Sequence, residues 1–189
     1  MNTYLSTLPD LVVDRTDEAV RLSDLFVHLQ YKTLGKRVVE ELTDARVSLP
    51  QMQALRYIWL HQHVLVGNLA EGLAISYPSA TNMVHRLVRQ SLVVRTTNPA
   101  DRREVEVSLT RSGLALMEQV ETERIQRMRA VLIRMDPVER ENMLAGLHRF
   151  VALAVENDDD AVKDVCLRCG SKADPSCPIA ELHSLQVCR

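Results

Sequence analysis

A chain of 189 residues is long enough to bury one sizeable core and still carry an appendage. Its composition, 46% hydrophobic and 25% charged with 4% aromatic residues and six glycines, favours helix over sheet. A net charge of −2 argues against a general polyanion binder and leaves DNA binding to a local basic face.

No apolar run approaches the roughly 18 residues that span a bilayer, and the first residues lack the basic, apolar and small-residue succession of a secretory leader. The expectation is a cytoplasmic protein with no membrane partner. Residues 1–15 read as an N-terminal extension. From Thr16 to about Arg46, Leu22, Leu25, Phe26, Leu29, Val38, Val39 and Leu42 recur near helical spacing, which predicts one long amphipathic helix that Gly35 can bend. After Ser48-Leu49-Pro50, Pro50 starts a second helix with Met52, Leu55, Ile58 and Trp59 inward, ending near His63. Val64-Leu65-Val66 leads into a brief third helix, Asn68 to about Ala74.

Ser76 suits the N-cap of a fourth helix and Pro78 its first turn, with Met83, Val84, Leu87 and Val88 as the inward stripe. Leu92–Arg95 and Glu104–Leu109 flank Asn98-Pro99-Ala100-Asp101, the pattern of a two-stranded hairpin. Thr110 caps a fifth helix with Leu114, Met117, Val120, Ile125, Met128, Val131, Leu132 and Met135 on its buried side. Asp136-Pro137 begins the sixth, with Asp136 and Glu139 at capping-box spacing, running to about Asn157. The acidic run Asp158-Asp159-Asp160 is expected to end the folded core.

The basic face lies between Ser76 and Arg111, where six arginines meet three acidic residues. Off the apolar stripe, the fourth helix offers Ser79, Thr81, Asn82, His85, Arg86 and Arg89, short hydrogen-bonders first and cations later. That gradient suits base contact followed by phosphate contact in a major groove, while an arginine-tipped hairpin can enter the adjacent minor groove. In isolation such arginines are more often a solvated helix face or a salt-bridged turn. Their joint order, a helix pair followed at once by a basic hairpin, is what points to double-stranded DNA.

These residues, with the strand Leu92-Val93-Val94-Arg95, the wing Asn98-Pro99-Ala100-Asp101-Arg102-Arg103 and the closing Leu109-Thr110-Arg111-Ser112-Gly113, resemble the MarR family of winged helix-turn-helix regulators. The resemblance covers about residues 16–157. It implies a mainly α fold with a small β-hairpin wing, and a homodimer built by interlocking the N- and C-terminal helices. Dimerisation helices would occupy 16–48 and 110–157, and the DNA-binding lobe 49–109. By position, Asp101 would brace the wing and Arg102 or Arg103 would enter the minor groove. Ser91 departs from the family, which usually has glycine before the strand. A dimer predicts a pseudo-palindromic operator. Many relatives also bind small aromatic acids between the dimer helices and the DNA lobe, a space that His28, Tyr31, Arg56 and Trp59 could line here.

Residues 158–189 form a cysteine-rich tail, with Cys166, Cys169, Cys177 and Cys188 at spacing C-x2-C-x7-C-x10-C. Four thiolates suit an iron-sulfur cluster or tetrahedral zinc, and Cys177 followed by proline favours the cluster. A thiol-disulfide switch ranks third, and His183 could substitute as a ligand. A regulator sensing redox state or iron through a cluster follows; the alternative responds to a small aromatic ligand and holds structural zinc. Enzyme readings are weak. Cys166 and Cys169 have thiol-oxidoreductase spacing without the βαβ setting, and Gly67 and Gly72 have P-loop spacing but are followed by Leu73 and Ala74.

Overall fold

The computed structural model describes residues 15–44, 46–97, 105–169 and 177–179. Helix α1 (Thr16–Leu29) passes without a break through a π-helical turn, Gln30–Lys36, into α2 (Arg37–Thr43). Gly35 lies inside the π turn, where the Thr33 hydroxyl donates to the Leu29 carbonyl. A π turn re-phases the faces on either side of it. None of α1 is buried, whereas Val38 and Val39 of α2 enter the core.

Helix α3 (Leu49–His61) begins at a full capping box: Ser48 accepts from the Gln51 amide, and the Gln51 side chain accepts from the Ser48 amide. It buries Met52, Leu55 and Ile58, as the apolar spacing predicts, with Trp59 packed at the core's edge. Val64–Leu65 is a strand, β1, so the wing is a three-stranded antiparallel sheet and not the expected two-stranded hairpin. Strands β2 (Val93–Thr97) and β3 (Val105–Leu109) pair, and β3 also pairs with β1 through Val64↔Val107 and Leu65↔Glu106. Two residues are too few to show strand alternation in sequence. Helix α4 (Val66–Gly72) follows directly, starting and ending two residues before the expected bounds.

Helix α5 (Tyr77–Arg89) buries Ala80, Val84 and Leu87, which fixes the face it turns outward. Val88 corrects the predicted stripe: it lies on the exposed side. Helix α6 (Arg111–Leu132) buries Met117 and Val120, but Ile125 is 60% and Val131 57% exposed. Of its predicted inward stripe Met117 and Val120 are buried, and Leu114 is exposed as well. Helix α7 (Pro137–Val155) starts at the expected capping box of Asp136 and Glu139.

The acidic run does not end the fold. Asp158 accepts from the amides of Asp160 and Ala161 at 3.1 and 2.9 Å and starts a further helix, α8 (Asp159–Cys169). Carboxylates at a helix N-terminus satisfy its free N–H groups and oppose its dipole favourably. A second small core forms there from Val155, Val162 and Ile179, with Val151, Ala161, Cys166 and Cys177 packed against it.

The closing motif of the wing has a steric reason. Thr110 donates its amide to the Leu92 carbonyl and its hydroxyl to the Ser91 carbonyl, at 3.0 and 2.7 Å, and accepts from the Gly113 amide at 3.0 Å. A Cβ on Gly113 would stand 2.1 Å from the Leu92 oxygen, so only glycine lets α6 approach the start of β2. Ser91 sits at φ 58°, the left-handed region that explains the glycine usual at that place.

Candidate nucleic-acid interface

The Ser76 hydroxyl starts α5 by accepting from the Ser79 amide, and its oxygen lies 2.8 Å from the Ser79 hydroxyl. At the other end, the Gln90 amide group donates to the Arg46 carbonyl at 2.8 Å, tying the end of α5 to the chain entering α3. The helix is thus held at both ends, with α4 packed along it. Its outward face carries Ser79, Asn82, His85, Arg86 and Arg89, all exposed.

Thr81 is the exception among the expected contacts. Its hydroxyl is buried with no hydrogen-bond partner, so it faces the protein while its neighbours face solvent. An open groove of about 670 Å³ runs beside the helix, lined by Asn82, His85, Arg86, Val88, Arg89 and Arg95. Arg95 comes from β2, and its Nη1 lies 2.6 Å from His85 Nε2. A guanidinium only donates, so the imidazole nitrogen accepts.

Arg95 was not among the expected contacts. Its signal is present in the sequence: an arginine on a strand that follows the helix after a three-residue turn can share that helix's outer side. The groove therefore joins two short polar side chains to three guanidinium groups on one surface. Asn82 can pair with a base edge, and arginine can pair with either guanine or phosphate. Asp101, Arg102 and Arg103 lie outside the described residues.

Residues 47–105 match the family model for the MarR family. The HTH-type transcriptional repressor MdtR of Bacillus subtilis is 28% identical over 142 residues, covering 74% of this chain and 89% of MdtR. Residues 47–105 are thus a MarR-type winged helix, in a chain similar to HTH-type transcriptional regulators. RV1404 from Mycobacterium tuberculosis has the same fold, with a TM-score of 0.65, 24% identity and coverage of 82% of this chain and 99% of RV1404. A mutant of S. aureus MepR bound to an oligodeoxyribonucleotide aligns at TM-score 0.56 and 22% identity, over 72% of this chain and 97% of that one. The similarity supports a MarR-type transcriptional regulator, and α4 and α5 with the β2–β3 wing are its winged helix-turn-helix.

Two further features concern regulation. A cavity of about 210 Å³ between α3 and the end of α4 is lined by Gln53, Arg56, Tyr57, Gly72 and Leu73. The Arg56 Nε is buried there without a hydrogen-bond partner. Burial pushes the Tyr57 phenol up, and the charge of Glu71 adds to that shift. The Tyr57 ring lies where a Cβ on Gly72 would stand, at 2.1 Å. Arg56, one of the residues expected to line an effector space, lines this cavity.

Of the tail cysteines, Cys169 is exposed, and Cys166 and Cys177 are half-buried against the second core. Cys166 and Cys169, three apart on α8, share a helix face. Among the described residues no three His, Cys, Asp or Glu side chains come together as a group that could hold a metal ion. Cys188 and His183 lie outside the described residues.

Proposed function

We propose that the protein binds a pseudo-palindromic operator as a homodimer, each copy laying α5 in a major groove and its wing in the adjacent minor groove. The observation that carries this reading is the groove in which Asn82, His85, Arg86, Arg89 and Arg95 meet. Asn82 and Arg86 read bases, while Arg89, Arg95, Arg102 and Arg103 hold phosphate or the minor groove.

Support for pairing comes from apolar side chains that the single chain leaves uncovered. Leu22, Leu25, Phe26 and Leu29 on α1, and Phe150 and Leu153 on α7, are exposed. Patches of this kind on a water-soluble surface mark an interface. Light scattering coupled to gel filtration is expected to give twice the chain mass of 21.4 kDa. Selection of duplexes from a random library by the wild-type protein is expected to return two related half-sites about one helical turn apart. Recovery of no preferred duplex would overturn the reading.

The four cysteines are the favoured sensing element, as ligands of an iron-sulfur cluster, with zinc as the alternative. What supports this is their confinement to the last 24 residues and the spacing C-x2-C-x7-C-x10-C. Iron with acid-labile sulfide in protein purified without oxygen supports it, and zinc alone would make the tail a structural clasp. The reading in which a small aromatic acid is the signal has one specific observation behind it, the buried Arg56 Nε without a hydrogen-bond partner in the α3–α4 cavity, because a buried cationic donor left unpaired favours an anion. Phenolic acids that leave DNA binding unchanged would exclude that signal.

A further inference from the structure

Helix α7 contributes little to the main core of its own chain. Among the described elements it lies against α8, and α8 also brings its Cα atoms within 8 Å of those of α4. Helix α4 in turn packs along α5, the helix that faces the groove. A chain of contacts therefore runs from α7 through α8 and α4 to α5.

The joint between α7 and α8 is tight. The Asp158 amide donates to the Val155 carbonyl at 3.2 Å, the Val162 amide donates to the Asp158 carbonyl at 3.0 Å, and the Asp158 side chain caps α8. Val155 and Val162, the latter 1% exposed, join Ile179 in the second core, and Cys166 and Cys177 pack on its edge. A segment held by a small core of this kind can detach locally without unfolding the rest.

We propose that α8 is an intramolecular brace: it ties the helix-turn-helix, through α4, to the C-terminal helix α7. This rests on the reading of the protein as an operator-binding dimer. In such a dimer α7 belongs to the shared frame, so the brace sets the position of each DNA-binding lobe relative to its twin. With α8 docked, the two α5 helices meet two half-sites already spaced. With α8 released, each lobe is freer, and engaging the second half-site costs more order. The cysteines at the edge of the second core are then placed where a change in their chemistry acts on the brace directly.

The experiment uses the full chain carrying Val162→Asp, with Val162→Ala as the milder variant, and two DNA probes. One probe is a duplex selected from a random library by the wild-type protein, and the other is the same duplex cut to one half-site. Hydrogen exchange at residues 66–72 reports docking without DNA. Release is expected to speed exchange in α4, to lower affinity for the full duplex at least tenfold with V162D, and to leave half-site affinity within twofold. The V162A variant should fall between, with circular dichroism showing the winged helix intact.

Unchanged exchange at 66–72 in both variants would overturn the brace. So would faster exchange with full-duplex affinity held within twofold, or an equal loss on both probes. Failure of the wild-type protein to select any duplex would instead overturn the operator-binding reading, leaving the α8–α4 contact to stand or fall on exchange alone.

Discussion

Arg95 of β2 donates to His85 Nε2 of α5 at 2.6 Å, so a strand residue is held against the outer face of the helix that carries Asn82, Arg86 and Arg89. The pairing gives a long, flexible cation one orientation beside the groove, and ordering it in advance lowers the entropy lost on binding.

Replacing Arg95 with alanine is therefore expected to weaken DNA binding on all sequences alike and to reduce the salt dependence by about one phosphate contact. Replacing Asn82 or Arg86 should instead change preference among sequences, by about 1–3 kcal/mol at the position read. Fluorescence anisotropy over a salt series on matched and mismatched duplexes separates the two patterns. Identical losses from both kinds of change would contradict the division of labour.

The junction of β2 and α6 predicts opposite effects at two neighbouring sites. Gly113→Ala puts a Cβ into the Leu92 carbonyl and is expected to destabilise the fold by about 1–3 kcal/mol. Ser91→Gly relieves a left-handed backbone at φ 58° and is expected to stabilise it by about 1 kcal/mol. Thermal or urea unfolding monitored by circular dichroism measures both.

Arg127 joins α6 to the first helical run: it pairs with Glu41, bonds Glu123 at 2.7 Å and donates to the Thr33 carbonyl at 3.2 Å. The hydrogen bond from Arg127, reinforced by the charges of Arg127 and Arg37, holds the Glu41 carboxyl below its ordinary value. A carboxylate lowered in the folded state contributes stability above its unfolded pKa of about 4.3, and loses that contribution as the pH falls through its folded value. The melting temperatures of wild type and Arg127→Met should therefore differ at neutral pH and converge in acid. A difference that persists below the range in which Glu41 is charged would assign the effect of Arg127 to packing alone.

Much of the DNA-binding lobe was legible because its signals are local. Ser76 with Pro78, Thr110 with Gly113, and Asp136 with Glu139 each satisfy helix N–H groups within a few residues, and each is seen in the structure. Ser48 and Gln51 carried an equally local signal that the apolar pattern alone did not expose. Non-local features were harder to see. The strand role of Val64-Leu65 exists only because β3 lies alongside it, and α8 requires the acidic run to be seen as a helix start rather than a stop. Helical spacing also does not say which apolar residues meet their own chain: Met117 and Ile125 share one apparent stripe, yet only Met117 is buried. On α5, Thr81 falls among the outward polar residues by spacing, while its hydroxyl turns inward.

The most direct measurement compares wild-type protein with Arg86→Ala/Arg89→Ala on a duplex that the wild-type protein has selected, at low and at physiological salt. Recognition through α5 predicts tight wild-type binding that weakens as salt rises, and for the double variant a loss of sequence preference together with a shallower salt slope. Wild-type affinity and preference retained in the double variant would contradict it and place DNA recognition on another surface.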